Sequence, residues 1–376
     1  MGYDAWISSL VCRKYARLLS SADTAFMIWE MDSASGIWVC SSRLGEMSIK
    51  GASTATGSSG GFWLCLWIEN PEDESQLILA NGKTGSFRVY KRNKSENSWK
   101  SELGLSGPNR EVTDLVWSED GEFFYATSLD QTTRLIAPTK QHGWREIARP
   151  QIHGYDMMCI DNISATKFVS GGDEKVLRVF EMTASTAEGL QREGILVAKT
   201  EQLPENASLP VLGLSNKAEN ENQESEEDDQ TGKKVETPVI PTEDVLQRLT
   251  LYPEIEKLYG HGYEITCCCA SPDYIASACR SNTAKHAVIR VFDTAKYQSS
   301  HVLEGHNLTI TSMAFSPNKE YLIAVSRDRQ LSLWRNFELV LIFQAHSRII
   351  WDCAWINDEY FVTGSRDKLV KLWKIG

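Results

Sequence analysis

Histidine and aspartate recur at matched spacing towards the end of the sequence, and both residue types can transfer protons in catalysis. His306 precedes Asp328, and His346 precedes Asp367 in the same way. A histidine oriented by a carboxylate is the general base of many hydrolytic sites. Each pair is followed, at the same distance from its aspartate, by a tryptophan: Trp334 and Trp373. Because the whole set occurs twice in one order, we interpret these side chains as parts of a repeated structural unit rather than as catalysts.

Cysteines form the second set that could do chemistry, here as metal ligands. Cys267, Cys268 and Cys269 are adjacent, and Cys279 follows. Adjacent residues on a strand point to opposite faces, so three neighbours cannot easily surround one tetrahedral ion. The nine cysteines of the chain show no CxxC pairs and no framework spacing. The sequence therefore predicts no metal and no cofactor, but a buried strand of reduced thiols in an intracellular protein.

A phosphate-binding loop is the third possibility, because Gly82-Lys83-Thr84 resembles the end of such a motif. The motif requires a glycine five residues before its last glycine, and Leu77 stands there. The segment also lies between two predicted strands and does not open a helix. We therefore exclude a phosphate-binding loop at this segment.

The histidines, aspartates and tryptophans belong to an internal repeat of short strands. In the last unit, His346 precedes strands at 348–355 and 360–364, a turn at 365–368 and a third strand at 369–373. Trp334 and Trp373, the ends of two third strands, lie 39 residues apart, close to the WD40 period of ~40–45. Weaker copies end at Trp29, Tyr90, Ile136, Phe180 and Phe292. The sequence thus predicts an all-β fold, a WD40 β-propeller with seven blade cores.

Segments between the cores supply outer, fourth strands. Six such connectors are present, at 36–43, 99–105, 144–148, 255–258, 301–303 and 338–343. We expect the first unit to lack an outer strand of its own. In the last unit, we expect His346, Thr363, Asp367 and Trp373 to form a hydrogen-bonded network, whereas the preceding unit has Ala324 in place of the hydroxyl. The unit that ends at Phe292 has His286 in place of the aspartate.

Four arginines stand beside these repeat positions. Arg327 and Arg366 each precede the turn aspartate, Arg329 follows Asp328, and Arg348 lies two residues after His346. Equivalent positions of neighbouring blades lie on one side of a propeller, so the four predict one basic patch that binds a partner. Guanidinium groups suit carboxylates and phosphates, so the partner is an acidic protein surface or RNA. The alternative is scattered, solvated arginine.

The net charge of −11 is unevenly distributed. The seven acidic residues between 219 and 229 contribute −7, so the remaining chain carries only −4, which does not favour strong phosphate binding. We predict a polar linker at 183–250 whose acidic centre is disordered and solvated, with a binding tail as the alternative. Within it we expect a strand at 209–214 and a helix start at 241–244. The Gly/Ser/Thr-rich segment 51–61 predicts a flexible loop. No apolar run spans a membrane, and no signal peptide is apparent.

Several longer stretches resemble the family of the second subunit of the Elongator complex, and the resemblance covers essentially the whole chain. They include KLYGHGYEI at 257–265, AVSRDR at 324–329 and HSRIIW at 346–351, together with 130–135, 146–156, 173–180 and 212–218. The resemblance implies two seven-bladed propellers in a longer protein, of which this chain would be a part. Residues 1–182 would then be the last four blades of one propeller, 209–214 a closing strand, and 251–376 the first three blades of the next propeller. One closed ring of seven cores is the alternative.

The same resemblance implies a function. A member of this family is a non-catalytic scaffold of a complex that modifies wobble uridines of transfer RNA. A separate radical-SAM and acetyltransferase subunit performs the catalysis. The implied partners are that subunit and the large scaffold subunit, with transfer RNA bound only indirectly, in the cytoplasm and the nucleus. The alternatives are a different WD40 adaptor, such as a ubiquitin-ligase substrate receptor, and, more distantly, an enzyme or a direct RNA binder. An adaptor of that kind would need a recruitment motif such as an F-box, which we do not find.

Overall fold

Short antiparallel strands account for most of the fold. The computed structural model describes residues 7, 9–13, 17–21, 25–45, 62–69, 75–82, 85–93, 95–96, 98–195, 197, 203–205, 207–208, 217–218 and 240–376. In these ranges, seven sheets of three or four strands follow one another in chain order, and we call them blades 1 to 7. The predicted all-β fold with seven blade cores is confirmed.

The strands of the first three blades have the following bounds. Blade 1 contains β1 (Ser9–Arg13), β2 (Arg17–Ser21), β3 (Phe26–Met31) and β4 (Trp38–Leu44). Blade 2 contains β5 (Phe62–Glu69), β6 (Gln76–Gly82), β7 (Phe87–Asn93) and β8 (Ser98–Leu105). Blade 3 contains β9 (Val112–Trp117), β10 (Phe124–Ser128), β11 (Thr132–Thr139) and β12 (Gly143–Ile152).

The strands of the remaining blades follow. Blade 4 contains β13 (Met157–Ser164), β14 (Lys167–Gly172), β15 (Leu177–Glu181) and β18 (Glu254–Leu258). Blade 5 contains β19 (Ile265–Ala270), β20 (Tyr274–Cys279), β21 (Ile289–Asp293) and β22 (Ser299–Leu303). Blade 6 contains β23 (Ile310–Phe315), β24 (Tyr321–Ser326), β25 (Gln330–Arg335) and β26 (Glu338–Gln344). Blade 7 contains β27 (Ile350–Trp355), β28 (Tyr360–Ser365) and β29 (Val370–Lys374). A separate two-stranded pair is formed by β16 (Ala207–Ser208) and β17 (Lys217–Ala218).

Each of blades 1 to 6 is a meander in which a fourth, outer strand pairs with the third strand of the same blade. In blade 1, β4 takes this place, with Leu44 opposite Phe26. The expectation that the first unit lacks an outer strand is therefore wrong. Among the described residues, the three-stranded sheet is blade 7. A short turn can join two antiparallel neighbours. Most connectors therefore form the outer strand of the blade that precedes them in the chain.

Neighbouring blades are joined through their first strands. A threonine hydroxyl donates to a carbonyl of the next blade in three places: Thr113 to Met157 at 2.9 Å, Thr266 to Ile310 at 3.0 Å and Thr311 to Ile350 at 2.6 Å. Aspartates add to this, since Asp114 accepts from the Ile160 N–H at 3.0 Å and Asp161 from the Ala270 N–H at 2.7 Å. Burial raises the pKa of both carboxyl groups to about 6. Blades 3 to 7 thereby form a continuous row.

The segment between β15 and β18 contains two short helices. Helix α1 (Ala184–Arg192) begins after Thr183, whose hydroxyl accepts from the Thr186 N–H, and it buries Ala187 and Leu190 in the core of blades 3 and 4. This helix was not predicted. Helix α2 (Glu243–Arg248) begins after Thr242, so the predicted helix start at 241–244 is found. These helices of nine and six residues are too short to cross a bilayer.

The division of the chain into 1–182, 183–250 and 251–376 remains a prediction. Strand β18 comes after the predicted linker, yet it pairs with β15 and places Leu258 opposite Leu177. The predicted strand at 209–214, the acidic run and the loop at 51–61 lie outside the described residues.

Candidate protein-interaction surface

The last blade contains a hydrogen-bonded chain of four side chains. His346 Nδ1 lies 2.9 Å from Asp367 Oδ2, and His346 Nε2 lies 2.8 Å from Thr363 Oγ1. Trp373 Nε1 donates to the same hydroxyl at 2.9 Å. A carboxylate only accepts, so His346 Nδ1 carries a proton and donates to Asp367. The chain connects the start of the blade to its second strand, its turn and its third strand.

Blade 6 has the same chain with a different hydroxyl. His306 Nδ1 lies 3.1 Å from Asp328 Oδ2, and His306 Nε2 lies 2.9 Å from Ser332 Oγ. Trp334 Nε1 also donates to Ser332, at 2.9 Å. Ser332 lies on β25 directly opposite Ala324 of β24, so the hydroxyl comes from the neighbouring strand. Sequence reasoning missed this residue, although a serine two positions before the tryptophan was a signal for it.

These networks hold the histidines and aspartates in structural roles. The side chains of His306 and His346 are almost completely buried. Burial alone would raise the pKa of Asp367, but hydrogen bonds from His346 and from two backbone N–H groups lower it to about 2. The pKa of Asp328 is lowered from its ordinary value by the corresponding contacts, against the effect of burial. A carboxylate held in its charged form beside an enclosed imidazole positions the turn.

The turn aspartates also determine the backbone conformation of the turns that carry the arginines. Asp328 Oδ1 accepts from the Gln330 N–H at 2.9 Å, and Asp367 Oδ1 accepts from the Leu369 N–H at 3.0 Å. Between these groups, Arg329 adopts a φ of 72°, a left-handed conformation that is uncommon for residues other than glycine. The carboxylate therefore stabilises a tight turn that leaves the Arg329 side chain exposed.

All four predicted arginines lie at one end of blades 6 and 7. Arg327 N donates to Thr309 O at 3.0 Å, and Arg366 N donates to Ile349 O at 2.9 Å, next to Arg348. The Arg329 carbonyl accepts from the Ala345 N–H at 3.1 Å, which connects the turn of blade 6 to the start of blade 7. Each side chain is exposed, and none forms an ion pair with another described residue. The structure thus brings together four unneutralised guanidinium groups, which we call the arginine rim.

The three adjacent thiols of β19 are enclosed. Burial raises the pKa of Cys267 and Cys269 well above the ordinary value, and a hydrogen bond with Cys159 together with burial does the same for Cys268. A thiol held in its protonated form is a weak nucleophile and a poor metal ligand. In the described part of the chain, no three His, Cys, Asp or Glu side chains converge to hold a metal ion.

Sequence reasoning also missed a buried ionic cluster. Arg149 contacts Glu243 of helix α2 at 2.7 Å and Glu146 at 2.8 Å, and Arg134 contacts Glu146 at 2.7 Å. Despite burial, the two arginine charges hold the pKa of Glu146 well below its usual range. Because Arg149 and Glu243 are 94 residues apart, only the fold shows the pairing. The cluster fixes the end of the predicted linker against β12.

Comparison with known proteins agrees with this architecture. The family model described as WD domain, G-beta repeat matches residues 99–136, 297–335 and 337–374. Together with the seven sheets, these matches define the class: a WD40-repeat protein of the β-propeller type.

The chain resembles particular members of that class over nearly its whole length. It is 48% identical to Elongator complex protein 2 of Saccharomyces cerevisiae over 96% of its residues, covering 49% of that protein. It is 41% identical to the protein of that name from Schizosaccharomyces pombe over 100% of the chain and 51% of the relative. It is 40% identical to the human protein of that name over 95% of the chain and 48% of the human protein. The chain is thus similar over nearly its whole length to proteins named Elongator complex protein 2, and it spans about half the length of these relatives.

Proposed function

We propose that this chain is a non-catalytic WD40 scaffold of an Elongator complex, and that it supports wobble-uridine modification of transfer RNA by holding other subunits. The observation that carries the proposal is its 48% identity, over 96% of its residues, to a protein named Elongator complex protein 2. The proposed partners are the large scaffold subunit and the catalytic subunit, with transfer RNA bound only through them. The proposed location is the cytoplasm and the nucleus.

The chemistry of the described residues supports a binding role. The histidine–aspartate pairs of blades 6 and 7 are committed to the hydrogen-bonded chains that hold the turns in place. The thiols of β19 are protonated and enclosed. The arginine rim, in contrast, presents charge that no acidic side chain among the described residues neutralises. An exposed guanidinium gains most from a carboxylate when both are desolvated in an interface, and arginine is frequent among residues that dominate binding energy.

Affinity purification of the tagged chain from cells, with quantitative mass spectrometry, tests the proposal. We expect the large scaffold subunit and the catalytic subunit to be enriched over a tag-only control. Recovery of ubiquitin-ligase subunits instead would replace the proposal with the adaptor alternative. Recovery of neither set would refute the proposed complex for this chain, without affecting the fold.

The arginine rim is tested in the same assay with a variant that carries Ala at 327, 329, 348 and 366. We expect co-purification to fall at least roughly tenfold, because a central interface arginine commonly contributes 2 kcal/mol or more. A control variant removes four cations from the opposite end of blades 5 to 7: Lys296, Lys319, Arg335 and Lys374. Equal recovery with both variants would show that the rim is solvated surface.

A further inference from the structure

Four blades carry an arginine at one equivalent position of the third strand. Arg88, Arg134, Arg178 and Arg290 each stand directly opposite a small residue of the second strand: Ala80, Ala126, Ser170 and Ser277. The side chain at this position lies beside the turn and the start of its own blade. The ion-pair partners of this arginine can therefore be compared from blade to blade.

In blades 2, 3 and 4 this arginine is paired with carboxylates. Arg88 lies 2.6 Å from Asp244. Arg134 lies 3.1 Å from Asp130 and 2.7 Å from Glu146. Arg178 lies 2.7 Å from Glu174 and 2.6 Å from Glu254. At least one acidic side chain therefore neutralises the guanidinium in each of the three blades.

Blade 5 has the arginine without the acid. Within the described residues, Arg290 forms no ion pair, and its Nε is buried without a hydrogen-bond partner. His261, which is only 8% exposed, bonds to Ser277 through Nε2 at 2.8 Å, but its Nδ1 is also buried and unpartnered. The corresponding Nδ1 atoms of His306 and His346 lie against aspartates. Two neighbouring polar groups of blade 5, the Arg290 guanidinium and His261 Nδ1, thus lack the carboxylate partner that the equivalent groups of other blades have.

The turn of blade 5 explains the missing acceptor. Nine residues, 280–288, separate β20 from β21, whereas three, 327–329, separate β24 from β25. His286 of this longer turn lies beside Gly262, since a Cβ atom on Gly262 would be 3.1 Å from Nδ1 of the ring. Gly262 directly follows His261. In blades 6 and 7, the residue that follows the equivalent histidine donates its backbone N–H to the turn aspartate. An imidazole therefore stands where those blades have a carboxylate.

Nearby acidic side chains on the adjoining turn of blade 4 do not fill this position. Glu174 is hydrogen bonded to Arg178, and Asp173 lies 3.6 Å from Arg280. Burial and the charge of Arg290 lower the pKa of His261 to about 4, as expected for a basic corner without a counter-ion. The corner reaches solvent at the half-buried His286 and the exposed Tyr263, whose rings are in edge contact at 5.0 Å.

We propose that His261, His286 and Arg290 form a carboxylate-binding site in blade 5, filled by an acidic side chain that comes from outside the blade. The guanidinium binds the carboxylate as Arg134 and Arg178 bind theirs, and His261 Nδ1 donates to it as His306 and His346 do to their aspartates. Partial burial strengthens the interaction by excluding water. The site is separate from the arginine rim and does not depend on membership of Elongator.

Sodium acetate is the probe for this site, with sodium chloride and sodium phosphate at matched ionic strength as the other arms. The readout is the ring nitrogen signals of the full chain labelled in histidine. We expect a saturable shift of the His261 signal with acetate, and at least a roughly tenfold weaker response in Arg290→Ala, because the guanidinium that pairs with the carboxylate is lost. His306 and His346 are internal controls and should not respond. A His261 shift that is absent, that persists in Arg290→Ala, or that appears with phosphate alone would overturn the proposal.

A second variant supplies the acid internally. His286→Asp places a carboxylate beside Gly262, as in blades 6 and 7, so we expect a higher melting temperature and loss of the acetate response. His142→Asp, at an exposed turn of blade 3, is the matched control and should retain the response. An acetate response of unchanged size in His286→Asp would show that the ligand does not occupy this corner.

Discussion

Thr363 lies completely buried in blade 7, and its hydroxyl joins His346 to Trp373. Thr363→Val keeps the shape of the side chain and removes the hydroxyl. His346 Nε2 then remains enclosed without a partner, which costs about 1–3 kcal/mol for a buried polar group. Trp373 is half-buried, so its N–H recovers part of the loss from water. We therefore expect blade 7 to lose about 2–3 kcal/mol of stability against local opening.

Hydrogen exchange followed by mass spectrometry measures this loss blade by blade. A decrease of about 2–3 kcal/mol corresponds to roughly 30- to 150-fold faster exchange wherever exchange requires opening of the blade. We expect the increase in peptides that cover β28 and β29. Peptides from β13, β14 and β15 of blade 4 should exchange as in the unmodified chain, because the inter-blade hydrogen bonds described above join blade 4 to blades 3 and 5 and join blade 7 to blade 6.

Thr166→Val is the matched control, since the Thr166 hydroxyl forms no hydrogen bond within the described residues and the side chain is half-buried. This variant should leave exchange in blade 7 unchanged. Unaltered exchange of β28 and β29 in Thr363→Val would refute the idea that the hydroxyl stabilises the blade. An equal increase in every blade would instead show that unfolding is global and that the network has no local effect.

Three further outcomes follow from the buried charges and thiols. Glu243→Gln breaks one ion pair of the buried cluster and should cost about 3 kcal/mol in urea unfolding, whereas Glu256→Gln, on the surface, should change little; equal midpoints would contradict a stabilising role. Among the described cysteines, the exposed Cys12 and Cys40 should react with a thiol reagent in the native protein, and the three thiols of β19 only after unfolding. The lowered pKa of Asp367 means that its stabilising contribution is complete above the ordinary value of 3.8 and is lost as pH falls towards about 2. Asp367→Asn should therefore flatten the loss of stability between pH 4 and 2, and an unchanged slope would show that another group causes it.

The strands and their order could be predicted from the sequence, because the alternation of apolar and polar residues and the residues that form turns are local signals. The aspartate turns of blades 6 and 7 are an example, since each is complete within a few residues. Ser332 could not be assigned in this way, because its role depends on the register that places it opposite Ala324. Helix α1 was missed because its buried face is defined by contact with blade 3 rather than by its own polar sequence. The pairing of Arg149 with Glu243 spans 94 residues and depends on the fold alone.

Repeats allow each blade to be judged against its neighbours. In blades 6 and 7, a histidine at the start of the blade contacts an aspartate of the turn. In blades 3 and 4, an arginine of the third strand contacts a glutamate. The corner of the blade that contains the turn therefore holds an acid in contact with a base. The requirement is electrostatic, because enclosed donors lose water and must find an acceptor. Blade 5 keeps both basic side chains, yet its longer turn brings a third, His286, to the place of the acid. Stability alone favours restoring the carboxylate, so an unpaired basic corner indicates a position at which the acceptor is delivered by a ligand.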